Sequence, residues 1–242
     1  MTEKLSDCNI ERNLAEINEN IARACARSGR SPSEITLLAA TKTVEPENIN
    51  RAISAGIRVI GENRVQELLS KYDMINKEDI EIHFIGKLQT NKVKHIVGKA
   101  DLIHSVDSLK LAAEIDRAAA KISKIQDVLI EINIGAEDTK SGVLPAGAQD
   151  FAAAVRAFKN LRLRGVMSIP PIMESEERLR TLFRRLFKIY VDICEKNSDN
   201  KVNNIFSVGM SEDYVIAIEE GSNMIRVGTG IFGAREYKNK EC

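Results

Sequence analysis

The sequence predicts an α/β protein: a single (β/α)8 barrel with an extra amino-terminal helix. Eight strand-like stretches alternate with eight helix-like stretches along 242 residues, a length at which such a barrel forms one domain. Strands separated by helical spans run parallel, and eight of them close a barrel; an open doubly wound sheet is the rival arrangement. We expect one domain over residues 1–242, in which residues 1–30 form a helix packed on the barrel.

The first helix is predicted by apolar residues at intervals of three and four, which share one helical face. They are Ile10, Leu14, Ile17, Ile21 and Cys25. The strands are predicted by short apolar runs, as expected for strands that helices cover. Their predicted bounds are Ile35–Thr41, Ile57–Ile60, Glu81–Ile85, Asp101–Ser105, Asp127–Ile134, Leu163–Ile169, Asn204–Val208 and Asn223–Val227.

The helices between the strands are predicted by apolar periodicity and by residues typical of helix ends. Pro46 marks the start of the second helix and Gly56 its end. The stretch from Ser108 to Ile122 is rich in alanine, and the stretch from Leu179 to Ile193 carries the strongest apolar stripe. The other helices are predicted near Val65–Tyr72, Thr90–Val97, Ala148–Phe158 and Asp213–Glu219, with a short one after Ile231.

The composition narrows the class of protein. Hydrophobic residues make up 43% of the chain, and 35 basic residues balance 35 acidic ones, so nothing global favours nucleic acid or an anionic membrane. We see neither an apolar signal core nor a run of about 20 apolar residues, and we expect a soluble, cytoplasmic protein. The four scattered cysteines are expected to be reduced, and the three histidines lack metal-ligand spacing.

Lys42 ends the first predicted strand, in the run Leu37-Leu38-Ala39-Ala40-Thr41-Lys42-Thr43. Active sites of (β/α)8 barrels lie at the carboxyl ends of the strands, so this lysine is expected to point into the barrel mouth. Partial loss of water there would favour the neutral, nucleophilic amine. The alternative is a strand-end lysine that simply reaches water.

Glycine-rich turns follow the last two strands and predict an anion site. They read Ser207-Val208-Gly209-Met210-Ser211 and Arg226-Val227-Gly228-Thr229-Gly230. Backbone N–H groups can close around an oxyanion at such turns, and barrels often hold phosphate there. Ser207 and Thr229 are candidate hydroxyl donors, and Arg226 is expected to reach the phosphate or a cofactor ring. The alternative is that the glycines only make tight turns and that Ser211 caps the next helix.

Other polar residues on the predicted rim have two interpretations each. Asn63 follows the second strand, where it would either bind a phenolic oxygen of a ligand or cap the next helix. His83 and His104 lie inside strands and are interpreted as packing residues rather than catalysts. Lys87 and Lys140 lie near the rim, and Met167 lines the pocket or fills the core.

A lysine and a phosphate cradle that face one pocket indicate a phosphorylated aldehyde bound as a Schiff base. Pyridoxal 5'-phosphate (PLP) is the commonest ligand of that kind.

The same residues resemble one family, the PLP homeostasis protein family, also called the YggS or PROSC family. The matching motifs are Thr41-Lys42, Gly61-Glu62-Asn63-Arg64-Val65-Gln66-Glu67, His83-Phe84-Ile85-Gly86, Leu88-Gln89-Thr90-Asn91-Lys92, Lys140-Ser141-Gly142, Gly165-Val166-Met167, Ser207-Val208-Gly209-Met210-Ser211 and Arg226-Val227-Gly228-Thr229. They cover nearly the whole chain in order. Lys87 stands where relatives commonly have proline or histidine, which leaves that rim contact open.

The resemblance implies a fold type III barrel like the amino-terminal domain of alanine racemase, with PLP held as an internal aldimine on Lys42. It implies that Asn63 lies by the ring and that Met210 and Ser211 give backbone contacts near the phosphate. It also implies that the site for the ring and the phosphate contains Ser207, Arg226, Gly228 and Thr229. Family members are thought to buffer or deliver PLP rather than to catalyse robustly, with apo PLP-dependent enzymes as candidate partners.

Two other functions are alternatives: a PLP enzyme such as an amino-acid racemase or decarboxylase, and a cofactor-free Schiff-base aldolase. A two-base racemase needs a proton donor on the ring face opposite Lys42, and no tyrosine falls at a predicted rim position. The aldolase would not need an arginine and two glycine turns. The sequence therefore predicts a PLP-binding homeostasis protein with at most weak side activity, no metal and a monomeric state.

Overall fold

The computed structural model describes residues 9–137, 139–171, 175–195 and 205–233, and it confirms the predicted barrel. Eight parallel strands pair in chain order, and β8 pairs back with β1 to close the sheet. The strands are β1 (Thr36–Ala40), β2 (Val59–Glu62), β3 (Glu81–Phe84), β4 (Leu102–Val106), β5 (Gln126–Glu131), β6 (Leu161–Met167), β7 (Ile205–Met210) and β8 (Met224–Val227).

Two strands end two residues later along the chain than predicted. β2 begins and ends two residues later than the predicted Ile57–Ile60, so Glu62 belongs to the strand and not to the following turn. β7 continues to Met210 rather than ending at Val208. Both extensions contain a glycine that the sequence pattern assigns to a turn, although the strand pairing continues past it.

Helices surround the barrel on its outer face. They are α1 (Ile10–Ser28), α2 (Pro46–Ser54), α3 (Val65–Lys71), α4 (Val93–Ile96), α5 (Leu109–Lys121), α6 (Ala148–Arg156), α7 (Glu176–Glu195), α8 (Tyr214–Glu219) and α9 (Thr229–Phe232). Most of the buried apolar residues lie between these helices and the strands. Inside the barrel, Met167 packs with Leu102 and Leu129, so it is core filler.

The first helix covers the segments that follow the last two strands. The side-chain amide of Asn13 donates to the carbonyl oxygen of Ile231 in α9 at 2.9 Å. The amide of Asn20 donates to the hydroxyl of Tyr214 in α8 at 2.9 Å. Arg30, two residues after α1, donates to the carbonyl oxygens of Ile218 and Ser222. α1 therefore holds the two short helices that border the predicted anion site.

Three findings concern membranes, metals and thiols. None of the helices in the described ranges has the length and apolar character needed to cross a bilayer. Nor do the described residues contain a cluster of His, Cys, Asp or Glu suited to a metal ion. Burial raises the pKa of the Cys25 and Cys194 thiols, as expected of structural cysteines, whereas Cys8 and Cys242 lie outside the described residues.

Candidate functional site

Lys42 lies two residues beyond β1, at the carboxyl ends of the strands. Ala40, the last residue of β1, pairs with Gly61 of β2 on one side. On the other side, Ala39 pairs with Val227 of β8. The turn that carries Lys42 therefore begins between the ends of β2 and β8, with the lysine half-buried at the barrel mouth.

The turn after β8 lies against the end of β1. A β-carbon added at Gly228 would lie 3.3 Å from the carbonyl oxygen of Ala40, which is a crowded distance. Glycine at this position lets the two backbones approach each other. The close approach brings Gly228 and Thr229 next to the segment that carries Lys42, as the sequence predicts.

Ser211 joins the two glycine turns to each other. Its hydroxyl accepts the backbone N–H of Gly228 at 3.3 Å and that of Gly230 at 3.4 Å. The interpretation of Ser211 as a helix cap is wrong, because α8 has Asp213 at its N-cap. Both hydrogen bonds are long, so these two N–H groups point toward a shared position but are weakly engaged there.

The turn after β7 has a constrained backbone. Gly209 has φ +94°, and a β-carbon there would come within 2.6 Å of the β-carbon of Ala217. The N–H of Met210 donates to a carboxylate oxygen of Asp213 at 2.5 Å. Burial raises the pKa of Asp213, while the bond from Met210 and the charge of Arg226 act in the opposite direction. The backbone donor predicted at Met210 is therefore occupied by a carboxylate within the chain.

Arg226 extends into the barrel interior, where it is 5% exposed. Its Nη1 donates to the carbonyl oxygen of Ser207 at 2.7 Å and to the Ser207 hydroxyl at 2.8 Å. Its Nη2 donates to the carbonyl oxygen of Ser168 at 3.0 Å. Burial lowers the pKa of Arg226 to about 10, opposed by the charges of Asp213 and Glu131. The guanidinium is thus a fixed cation within the strand layer.

A chain of hydrogen bonds continues from Ser207 through the barrel. The Ser207 hydroxyl lies 3.3 Å from Nδ1 of His104, and Nε2 of His104 lies 3.0 Å from Nδ1 of His83. Nε2 of His83 lies 2.9 Å from a carboxylate oxygen of Glu81, whose side chain is 64% exposed. Both histidines are fully buried and satisfied, in agreement with their interpretation as packing residues.

The direction of this chain follows from its two ends. Arg226 can only donate, and the hydrogen bond from His83 lowers the pKa of Glu81, so its carboxylate accepts. Burial lowers the pKa of His104 well below its usual value, so its ring is neutral. A neutral His104 can accept the Ser207 hydroxyl at Nδ1 and donate from Nε2 to Nδ1 of His83, an arrangement in which the donors run from Arg226 toward Glu81.

Asn63 does not cap α3. The helix begins at Val65 with Arg64 at its N-cap, and no side chain caps it. The side-chain oxygen of Asn63 is buried and has no hydrogen-bond partner in the described part of the chain. A buried polar atom without a partner is costly, so this oxygen indicates a contact that a ligand or water supplies.

Glu131, at the end of β5, adds a titratable carboxyl group at the barrel mouth. Burial and the nearby charge of Asp107 raise its pKa to about 7, against the opposing charges of Arg226 and Lys87. Lys87 is exposed, and Lys140 pairs with Glu137 at 3.2 Å.

Sequence reasoning missed the groups that support the predicted site residues. Ser168 holds Arg226 through its backbone, and the pairing of His83 with His104 depends on the register of neighbouring strands. Glu62 and Lys71 form a buried ion pair behind the turn of Lys42. Their spacing of nine residues crosses from a strand to a helix, which no local pattern identifies. The sequence pattern places Glu62 in a turn rather than at a buried strand position, so it gives no signal for this pair.

A closed parallel barrel with a lysine beside glycine turns at its mouth is typical of one class, the barrels that bind phosphorylated ligands. Comparison with known proteins makes this class specific. Residues 12–236 match the family described as alanine racemase, N-terminal domain. The chain is 44% identical to a pyridoxal phosphate homeostasis protein of Aquifex aeolicus, over 93% of this chain and 97% of that protein. It is 40% identical to the protein of the same name from Escherichia coli K12, over 96% of this chain and 99% of that protein.

The chain therefore belongs to the pyridoxal phosphate homeostasis protein family, within the larger family of alanine racemase N-terminal domains. Solved structures agree. PipY of Synechococcus elongatus with PLP bound is 29% identical, with a TM-score of 0.80 over 93% of this chain and 100% of that one. Alanine racemase of Clostridium difficile, at 16% identity, shares the fold. Its TM-score is 0.74, and the match covers 96% of this chain and 58% of the racemase chain.

Proposed function

We propose that this protein binds PLP with Lys42 as its covalent anchor and acts in PLP homeostasis, by buffering or delivering the coenzyme. The observation that carries the proposal is the close approach of Gly228 to the end of β1, which sets an amine and an anion-binding turn at one mouth. The name shared by the relatives and the PLP in the PipY structure support it. When bound, PLP supplies an aldehyde to which a neutral amine adds with loss of water.

The phosphate is assigned to the two glycine turns. The N–H groups of Gly228 and Gly230 are engaged only by long bonds to Ser211, so a phosphate oxygen, as a charged acceptor, would replace a weak bond with a stronger one. The exposed residue Thr229 is a further donor, and Ser211 lies between the turns. Met210 is assigned here as well. Its N–H would then donate to the phosphate in place of the carboxylate of Asp213.

The ring is assigned to Arg226, Ser207 and Asn63. Arg226 cannot accept a hydrogen bond as a guanidinium, so it matches an unprotonated pyridine nitrogen. A cation at this place also opposes protonation of the nitrogen, which weakens the ring as an electron sink and suits a carrier. Ser207 fixes the guanidinium, and the unpartnered oxygen of Asn63 fits a polar contact with the ring.

The positions of the tyrosines support binding of PLP rather than catalytic turnover of amino acids. In the described ranges, Tyr72 lies against Lys77 and Lys99, and Tyr190 stacks on Phe206. Tyr214 bonds to Asn20 of α1. All three lie in the outer layer, and Tyr237 lies outside the described residues. A proton donor opposite Lys42, which a racemase needs, is not among these three, so any racemase activity is expected to be weak.

The proposal extends to partners and assembly. We also infer a monomer and propose that apo PLP-dependent enzymes receive the coenzyme at the barrel mouth. The test loads the protein with PLP, removes free coenzyme and adds an apo-aminotransferase. We expect the aminotransferase to regain activity, whereas the loaded protein alone racemises or decarboxylates amino acids at negligible rates. Failure of the wild type to retain PLP after desalting would refute the proposal.

A further inference from the structure

The turn that carries Lys42 has a conformation that its local sequence disfavours. The N–H of Val44 donates to the carbonyl oxygen of Thr41 at 3.0 Å, which closes a four-residue turn with Lys42 at its second position. Thr43, at the third position, has φ +63°. A β-branched residue in the left-handed region costs about 1–3 kcal/mol, so contacts elsewhere have to stabilise this turn.

Three charged residues supply these contacts, and we call them the turn clamp: Glu62, Glu67 and Lys71. Nζ of Lys71 donates to the carbonyl oxygen of Thr41 at 3.0 Å, on the amino-terminal side of Lys42. On the other side, the N–H of Thr43 donates to a carboxylate oxygen of Glu67 at 2.8 Å. The peptide groups on both sides of Lys42 are thus held by side chains of α3.

The clamp is linked internally. Lys71 pairs with Glu62 at 3.0 Å and with Glu67 at 3.6 Å. Glu62 also accepts the hydroxyl of Thr41 at 2.8 Å, so the residue before Lys42 is bound through both backbone and side chain. Because β2 supplies Glu62 and α3 supplies the other two members, the clamp ties the turn to two regular elements.

Burial makes this arrangement costly to maintain. Glu62 is fully buried, Lys71 is 8% exposed, and one carboxylate oxygen of Glu62 has no hydrogen-bond partner in the described residues. A buried ion pair is weak support for stability, since apolar residues of similar volume often stabilise as well or better. The geometry that the clamp imposes on the backbone around Lys42 gives it a function beyond stability.

We propose that Lys71 and Glu67 are positioning residues for the Lys42 amine: they hold its turn so that the amine faces the glycine turns. This inference rests on the proposed PLP function. Capture joins Nζ of Lys42 to the aldehyde carbon and releases the aldehyde oxygen as water, so no other reactant is needed. The amine adds only when it approaches the carbon in the right direction, so a mobile turn slows capture even when the phosphate is bound.

The experiment separates capture from binding. Capture rates come from quenching with borohydride and measuring intact mass, and binding is measured with 4'-deoxypyridoxine 5'-phosphate, which lacks the aldehyde. We expect Glu67→Ala and Lys71→Met to slow capture about ten- to a hundredfold, with analogue affinity within about twofold of wild type. Glu67→Gln, which keeps an acceptor for the Thr43 N–H, should recover most of the rate.

Lys124→Met is the matched control, because Nζ of Lys124 also donates to a backbone carbonyl, that of Ala100, at 3.0 Å but at the opposite end of the barrel. Capture at the wild-type rate in folded Glu67→Ala overturns the inference, as does an equal loss of analogue affinity. If Lys71→Met does not fold, the Glu67 pair decides.

Hydrogen exchange distinguishes failure of this inference from failure of the PLP proposal. In the apo protein, the Thr43 amide should exchange faster in Glu67→Ala than in wild type or Lys124→Met. An unchanged Thr43 amide overturns the clamp. A wild type that captures no PLP refutes the proposed function instead, while faster exchange in Glu67→Ala would still support the clamp.

Discussion

Arg226 and Ser207 are joined twice: one guanidinium nitrogen donates to both the carbonyl and the hydroxyl oxygen of the serine, at 2.7 and 2.8 Å. Because the hydroxyl of Ser207 accepts from Arg226, its own proton is available for Nδ1 of His104. A cation that is almost completely removed from water is thereby held in one orientation inside the barrel. The site residue predicted from the sequence thus depends on strand neighbours for its position.

Replacing Ser207 with alanine removes the hydroxyl but keeps the carbonyl contact. Hydrogen bonds to charged groups contribute about 1.5–3 kcal/mol, so we expect Ser207→Ala to lower the free energy of unfolding by about that amount. Urea denaturation measures it. Ser54→Ala, at an exposed position of α2, is the control and should stay within about 0.5 kcal/mol of wild type. A Ser207→Ala protein as stable as this control would contradict the role assigned to the hydroxyl.

His104 should make stability depend on pH. Its pKa is lowered well below 6.5 in the folded protein, so below pH 6.5 only the unfolded chain takes up the proton. Stability from this residue is present above pH 6.5 and is lost as the pH falls. Between pH 7.5 and 5.5, wild type should lose stability relative to His104→Gln, by on the order of 1 kcal/mol. His95→Gln, in α4, is the comparison; an equal pH effect in both variants would refute this account.

Glu131 should lower the stability of the folded protein as the pH rises, which is opposite to the effect of His104. Its folded pKa of about 7 lies above the usual 4.5, so the folded state holds this proton more tightly than the unfolded chain. The ionised form costs stability above pH 7, and that cost fades as the pH falls toward 4.5. Glu131→Gln should therefore gain about 2 kcal/mol more at pH 8 than at pH 5. The exposed Glu78→Gln should show no such difference, and a flat profile for Glu131→Gln would contradict the assignment.

Gly209→Ala should disrupt the anion turn after β7. The added methyl group meets the β-carbon of Ala217, and the backbone has φ +94°, so we expect a loss of about 2–4 kcal/mol and weaker phosphate binding. Gly29→Ala separates the two causes, because Gly29 also has positive φ, +68°, but has open space around it. It should cost only about 1 kcal/mol. Equal losses in both variants would argue against crowding at Gly209.

The fold was predictable because its signals are local. Each strand is a short apolar run and each helix repeats its apolar residues on one face, so even the order of elements around the barrel followed from the sequence. The boundary of β2 was not predictable, since Gly61 resembles a turn residue until its pairing with Ala40 is known. Lys42 and Gly228 could be predicted at the barrel mouth because strand ends and glycine turns are also local signals.

The contacts that hold the site residues were not predictable, because they join residues distant in sequence. Ser211 was open to interpretation as a helix cap, yet it bonds to Gly228 and Gly230 of the neighbouring turn. His83 and His104 each read as a core residue, and only the parallel pairing of β3 and β4 shows that they bond to each other.

The most direct test of the central claim is to locate the lysine that PLP modifies. The protein is incubated with PLP, reduced with borohydride, digested and mapped by mass spectrometry, beside Lys42→Ala and the control Lys124→Ala. We predict modification at Lys42 in wild type and in Lys124→Ala, and its loss in Lys42→Ala. Modification spread over surface lysines, or unchanged in Lys42→Ala, would contradict the claim that Lys42 is the anchor.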